Sequence, residues 1–358
     1  MAGGERRILH CDMDSFFAAV HMRDEPHLRD VPLVIGGDPD GRGVVSTANY
    51  PAREYGIHSA QPAATAKRLC PHAVFLRPDL DRYRRESRRI MGIFRDFTEV
   101  VEPASLDEAY LDVTGRLAPY GSATAVAEAI RARVREETGL TVSIGVSNSR
   151  LVAKIASDWD KPDGLTVVPP KRVADFLAPL PVRKLHGVGP ATEQVLAGLG
   201  IATVADLRAR SREELANALG AFGATLYGFA RGEDPRPVGV PRERKSLGME
   251  DTFQRDLTDG AEMEARLAEM AAHVAKELGA RGLVGRTVTV KARYPDFTTV
   301  TRSQTVNRAT ADGEELGQWT RVLLHRSEAA ARGVRLLGVS VSGLEEVPEG
   351  AQLDLFSG

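Results

Sequence analysis

Cysteine is nearly absent. The chain of 358 residues holds two, Cys11 and Cys70. Two cannot staple a protein of this size, so a disulfide-built scaffold is excluded and a reducing compartment is expected. Each is read as a small buried hydrophobe. Long apolar runs are lacking too: no stretch approaches the roughly 20 apolar residues of a membrane span. The opening MAGGERRILHCDMD has no apolar signal core and runs straight into a strand. No membrane partner is expected, and the expected location is the cytoplasm. An excess of one charge is also missing. Lys and Arg number 47 and Asp and Glu 49, leaving a formal net charge of −2, which speaks neither for nor against nucleic acid.

What is present is an ordinary globular composition, 42% hydrophobic and 27% charged. At ~150 residues per domain, such a length implies two or three domains. Arg7–Asp12 reads as a buried strand. Residues 18–78 are broken by Pro26, Pro32, Pro39, Pro51, Pro62 and Pro71, so their elements must be short. A helix is expected over Leu80–Phe97, then strands at Thr98–Val101 and Ala109–Val113. Ser122 caps a further helix that Gly139 ends. Thr141–Val146 alternates as a half-buried strand. Without the proline-rich insertion the order is β-α-β-β-α-β, an antiparallel sheet with helices on one face. Residues 170–232 read as a small helical unit. Residues 233–245, rich in proline and charge, read as a linker. From Ser246 to Leu344 the β-α-β-β-α-β order recurs. In this second unit Val288, Val290, Ala292 and Tyr294 share one strand face, and Thr287, Thr289, Lys291 and Arg293 share the other. The tail after Leu344 is expected to be unstructured.

Asp12 and Asp14 stand at the end of the first strand, and Asp107 and Glu108 open another. In a split β-α-β-β-α-β unit these two strands are neighbours, so both acidic pairs meet at one sheet edge. Crowded carboxylates need a cation. Oxygen donors of this number suit Mg²⁺, and two such ions ~3.5–4 Å apart support in-line phosphoryl displacement. As single residues these acids are more plainly loop caps; as a set they are not. Met13 points away from Asp12 but offers its backbone carbonyl. Phe16 and Phe17, beside this edge, are either core plugs or a wall against substrate.

At this point DMDSFFAAV, STANYPAREYGI, SLDEAYLDV, SNSRLVAKIASDWDKPDG, LHGVGP and KSLGMEDTF occur in order. Together they resemble the Y-family DNA polymerases of the bacterial type, over nearly the whole chain. The resemblance implies an α+β, multidomain, right-hand fold. Its expected parts are a ferredoxin-like palm (1–17 and 79–169), small fingers (18–78), a helical helix-hairpin-helix thumb (170–232), the linker (233–245), a β-α-β-β-α-β little finger (246–344) and a tail (345–358). It implies a DNA-directed DNA polymerase that adds deoxynucleotides to a primer 3′-end, with low fidelity and tolerance of damaged template. Two Mg²⁺, replaceable by Mn²⁺, are expected on Asp12, Asp107, Glu108 and the Met13 carbonyl. Asp14 matches a position that is usually not a ligand. Thr47, Tyr50, Arg53 and Lys161 are implied on the incoming triphosphate. Phe17 takes the place of the steric gate against a ribose 2′-OH; Phe16 is counted with the nucleotide site, yet is expected to face elsewhere and pack. Gln61 stands where many relatives have methionine.

The remaining motifs gain meaning beside this. In LHGVGPATEQVLAGLG, Gly187 and Gly189 would let backbone N–H groups approach a DNA phosphate; an ordinary helix turn is the plainer alternative. Lys291, Arg293 and Arg302 would track one phosphate backbone from a basic sheet face; a solvated face is the alternative. In the terminal QLDLF, Gln352, Leu353, Leu355 and Phe356 resemble the short peptide that docks on a sliding clamp. His10, His21 and His186 are read as structural. The expected partners are primer-template DNA, deoxynucleoside triphosphates and the clamp, with the chain a monomer. Two competing readings are an inactive DNA-bound scaffold, which should have lost the palm acids, and a nucleotidyl cyclase, which needs neither the hairpin motif nor the tail.

Overall fold

The computed structural model describes residues 6–240 and 243–347. It falls into two compact units, Met1–Val240 and Pro241–Gly358.

The first unit begins with β1 (Ile8–Met13), buried throughout. Side chains alternate across it. Leu9, Cys11 and Met13 enter the main core, while Ile8, His10 and Asp12 lie on the other face. Helix α1 (Phe16–Asp24) follows at once, preceded by Ser15 with φ 41°. The proline-broken stretch yields only short elements: β2 (Leu33–Gly36), β3 (Val45–Ala48), α2 (Tyr50–Arg53), α3 (Ala63–Leu69) and β4 (Val74–Leu76). The strands form a small sheet ordered β3-β2-β4. Then come α4 (Leu80–Phe97), β5 (Val101–Pro103), β6 (Glu108–Asp112), α5 (Ala123–Thr138), β7 (Val142–Ser147), α6 (Arg150–Ser157) and β8 (Leu165–Val167). Helix α5 is bounded as expected: the Ser122 side chain accepts from the Ala125 amide, and Gly139 closes it at φ 68°.

The main sheet is ordered β5-β6-β1-β7-β8. Three expectations are corrected here. The sheet is not covered on one face alone. Short helix α6 lies against β1 and β7 on the face opposite α4 and α5. For the same reason β7 is buried along its whole length rather than half-buried. The approach is close: a Cβ on Gly145 would stand 2.0 Å from the Ala153 carbonyl oxygen. The sheet is also not wholly antiparallel, since β8 runs parallel to β7.

Five helices follow, α7 (Val173–Leu177), α8 (Pro190–Gly198), α9 (Val204–Arg208), α10 (Arg212–Leu219) and α11 (Ala221–Phe229). They share a core with Leu151, Val152, Ile155 and Ala156 of α6. The segment expected as a linker starts docked. Asp234 is 2% exposed and accepts from the Leu151 amide. Arg150 reaches the Pro237 carbonyl and pairs with Glu102, and Val238 packs with Ile8 and Tyr110. The Pro-rich composition hid these partners because they lie far away in sequence.

The second unit comprises β9 (Ser246–Leu257), α12 (Gly260–Gly279), β10 (Leu283–Arg293), β11 (Thr299–Thr310), α13 (Gly313–His325), α14 (Ala329–Arg332) and β12 (Val334–Glu346). Its sheet is ordered β11-β10-β12-β9. The β-α-β-β-α-β order therefore recurs, as expected. The last strand continues through Glu345 and Glu346, which had been assigned to the tail. Val288, Val290, Ala292 and Tyr294 face a core shared with Met263, Leu267 and Leu323 of the helices. No helix among the described residues is long and apolar enough to cross a membrane.

Candidate active site

The site is built where β1 and β6 end. Asp12 lies directly opposite Glu108 in the antiparallel register, and the Met13 amide donates to the Asp107 carbonyl at 3.0 Å. The three acids named from the sequence are thus brought to one sheet end. Met13 buries its side chain in the core, leaving its carbonyl as the group it can offer.

Each acid meets a separate donor. Lys161 donates to Asp12. Lys154 donates to Glu108 at 2.7 Å. The Ser105 hydroxyl donates to Asp107 at 2.5 Å. Among the described residues, no three His, Cys, Asp or Glu side chains are grouped as a ready-made cation cage. Burial pushes the Asp12 carboxyl up to about 7; Lys161 opposes the shift and Glu108 adds to it. Burial also raises Asp107. These are hard oxygen donors at a desolvated sheet end, with ammonium groups already standing on two of them, Asp12 and Glu108. Such a set fits a divalent cation completed by phosphate oxygens.

Asp14 is the residue that sequence reasoning undervalued. It is 3% exposed. Its carboxylate accepts from the Thr141 and Ser143 hydroxyls and the Asp163 amide, each at 2.8 Å. The Tyr50 hydroxyl reaches it at 3.4 Å, and burial, then Asp14, raises the Tyr50 pKa. Asp14 thereby ties the end of β1 to β7, to the turn after Lys161 and to α2. Asp14 lies just beyond β1, which ends at Met13, so strand alternation does not place its side chain.

Helix α2 presents Tyr50 and Arg53. Buried Asn49 caps it, accepting from the Ala52 amide at 3.0 Å and from the Leu33 amide at 2.9 Å. The Arg53 guanidinium lies over the Tyr50 ring, 4.9 Å from its centroid. Thr47 is half-buried on neighbouring β3. Asn49 was missed; its only signal was a cap residue ahead of a proline-initiated turn.

The two phenylalanines part company. Phe16 is 1% exposed and packs its ring in the main core. Phe17 is half-buried and stacks on Tyr83, ring centroids 4.0 Å apart. Both open α1 rather than extend the strand, so their separation follows helical geometry.

Away from this centre, Gly187 has φ +89° and faces the Phe222 ring, which a Cβ would meet at 2.8 Å. Gly189 precedes α8 with open space before it. His186, expected to pack, is exposed. His10 and His21 are structural: His10 is fully buried, and His21 bonds the Tyr83 hydroxyl at 2.9 Å.

The second unit's open face corrects another expectation. Paired residues in an antiparallel ladder share a face. Lys291 pairs with Thr301 and Arg293 with Thr299, but Arg302 pairs with core-facing Val290. Arg302 therefore belongs to the opposite face, where it donates to the Arg326 carbonyl at 2.8 Å. The open face is hydroxyl-rich rather than basic. Thr287 bonds Thr305 at 3.0 Å and Thr289 bonds Ser303 at 2.9 Å, with Ser340 and Ser342 alongside. Lys291 there is paired with Glu250 at 2.7 Å. Gln352, Leu353, Leu355 and Phe356 lie outside the described residues.

Comparison with known proteins agrees with this architecture. Residues 11–158 match the impB/mucB/samB family, residues 244–355 its C-terminal domain, and residues 170–201 the IMS family HHH motif. The chain is 54% identical to the DNA polymerase IV of Alkalilimnicola ehrlichii, covering 98% of this chain and 99% of that one. It is 53% identical to the DNA polymerase IV of Halorhodospira halophila, covering 98% of each. A solved Y-family DNA polymerase chimera of Dbh and Dpo4 superposes with a TM-score of 0.86 at 27% identity, over 94% of this chain and 98% of that one. With such likeness along almost its entire length, and an acidic sheet end of the kind described above, the chain belongs to the Y-family DNA polymerases.

Proposed function

We propose that the sheet end bearing Asp12, Asp107 and Glu108 is the nucleotidyl-transfer centre of a template-directed DNA polymerase that copies past damaged template. The observation that carries this assignment is the register pairing of Asp12 with Glu108 beside Asp107, with a lysine on Asp12. Its substrates are primer-template DNA and deoxynucleoside triphosphates. Asp12, Asp107, Glu108 and the Met13 carbonyl would hold two Mg²⁺, or Mn²⁺ in their place. When bound, such ions favour the primer 3′-alkoxide and stabilise the charge developing on pyrophosphate.

The chain's own residues supply the rest. Tyr50 and Arg53 on α2, Thr47 on β3 and Lys161 are donors for a triphosphate, aimed where negative charge accumulates. Lys161 leaves Asp12 to reach it. Phe17, braced by Tyr83, is the wall against a 2′-hydroxyl, while Phe16 anchors α1. Small fingers made of short elements close loosely over the nascent pair, which weakens geometric selection. Gly187 and Gly189 offer backbone amides to a phosphate. Lys291 and Arg293, with the hydroxyl face around them, track the duplex backbone. QLDLF docks on a sliding clamp. The palm, fingers, thumb and little finger are assigned the ranges given above, with the little finger extended to Glu346. The enzyme works as a monomer in the cytoplasm.

Primer extension tests the assignment. Asp107→Ala should slow nucleotide addition by about 10³-fold or more, with primer-template affinity retained. Extension at the parent rate would overturn it.

A further inference from the structure

Lys154 had no role in the sequence, yet it is held by a built arrangement. It is the single residue of α6 that is not buried. Its Nζ lies 2.7 Å from Glu108 Oε2 and 3.4 Å from His10 Nε2. One tautomer of His10 satisfies the Ser157 and Lys154 contacts together. The Ser157 hydroxyl donates to the Lys154 carbonyl at 2.8 Å. It therefore has only lone pairs left for His10 Nδ1, also at 2.8 Å. Nδ1 thus carries the hydrogen, and Nε2 is the acceptor that receives Lys154. The ammonium is cradled between an imidazole lone pair and a carboxylate, from a fully buried histidine on β1. Lys161 makes the matching contact to Asp12. The two facing acids each have a lysine of their own.

We propose that Lys154 is a positioning residue that holds Glu108 as its counter-ion and competes with a divalent cation for that carboxylate, so that it sets the cation concentration at which the site fills. The inference rests on the reading of Asp12, Asp107 and Glu108 as cation ligands. Its physics is simple. An ammonium beside Glu108 repels an arriving divalent ion and must release the carboxylate to it. On release, Lys154 keeps its second partner, His10, so it withdraws without becoming unpaired. Without Lys154, Asp12 and Glu108 face each other with one positive charge fewer, and the pair draws a cation more strongly.

The probe is Mn²⁺, with binding read by electron paramagnetic resonance on the protein carrying a dideoxy-terminated primer-template, so that no turnover is involved. Lys154→Met should tighten Mn²⁺ binding by about tenfold. Lys154→Gln, neutral but polar, should do the same, and Lys154→Arg should return affinity to near the parent value. In a Glu108→Gln background, Lys154→Met should change nothing. Mn²⁺ binding no tighter in either neutral variant, with an unchanged melting temperature, overturns the proposal. So does equal tightening with and without Glu108. Parent and Glu108→Gln binding Mn²⁺ alike would remove the ligand reading itself, and the lysine's role with it.

Discussion

The two sheets share one β-α-β-β-α-β order and use it in opposite ways. The first is clothed on both faces, by α4 and α5 on one side and α6 on the other. The second has α12 and α13 on one face and leaves the other to solvent. The clothed sheet concentrates its polar groups at one end, where burial perturbs Asp12 and Asp107. The open sheet spreads hydroxyls over a whole face. Topology is therefore neutral about chemistry. Desolvation decides which copy can become a reactive centre and which a platform.

The sharpest way to break this contrast is to force the clothed sheet open. Gly145→Val pushes side-chain atoms into the Ala153 carbonyl and the Ser157 amide, 2.0 and 2.4 Å from the new Cβ. It should prise α6 from β7 and cost roughly 3–5 kcal/mol or more, read by denaturant unfolding. Thr289→Val on the open face should shift stability by no more than about 0.5 kcal/mol. Equal costs would erase the distinction between the faces. Next comes the pair at the start of α1. Phe16→Ala should cost ~3–5 kcal/mol by leaving a cavity in the core. Phe17→Ala should leave folding nearly intact while raising the ratio of ribonucleotide to deoxynucleotide insertion efficiency by about tenfold or more. If Phe16→Ala relaxes sugar choice instead, the two rings have been assigned the wrong way round. The gentlest test concerns the platform. Removing Lys291 and Arg293 together should lower the log–log salt slope of primer-template binding by ~0.9 for each DNA phosphate that is no longer neutralised. Arg302→Ala, on the helix face, should leave that slope where it was; a matching drop would put Arg302 back on the binding face.

Much of this was legible in the sequence. Alternation predicted Val288, Val290, Ala292 and Tyr294 as core, and the paired strands predicted the meeting of Asp12 with Glu108. Alternation stops at the strand, however. Whether Arg302 joins Lys291 depends on how β10 and β11 register across their turn, which no single strand encodes. The half-buried reading of β7 failed because α6, eight residues long, announced itself too weakly to be counted as a second cover. Asp14 was passed over because its partners at Thr141, Ser143 and Asp163 are 127, 129 and 149 residues away. Lys154 was invisible for the same reason.

Those separations have a consequence for how the molecule assembles. A carboxylate buried like Asp14 is costly until its donors arrive. They come from the distant strand β7 and the turn beyond it, so they arrive only when the sheet has closed. Nothing local can satisfy this group ahead of time. The end of β1 and the Lys161 turn therefore belong to one cooperative unit, the last to form and slow to open alone. In hydrogen exchange the Asp163 amide, though it sits in a turn, should protect with the amides of β7 rather than with its loop neighbours.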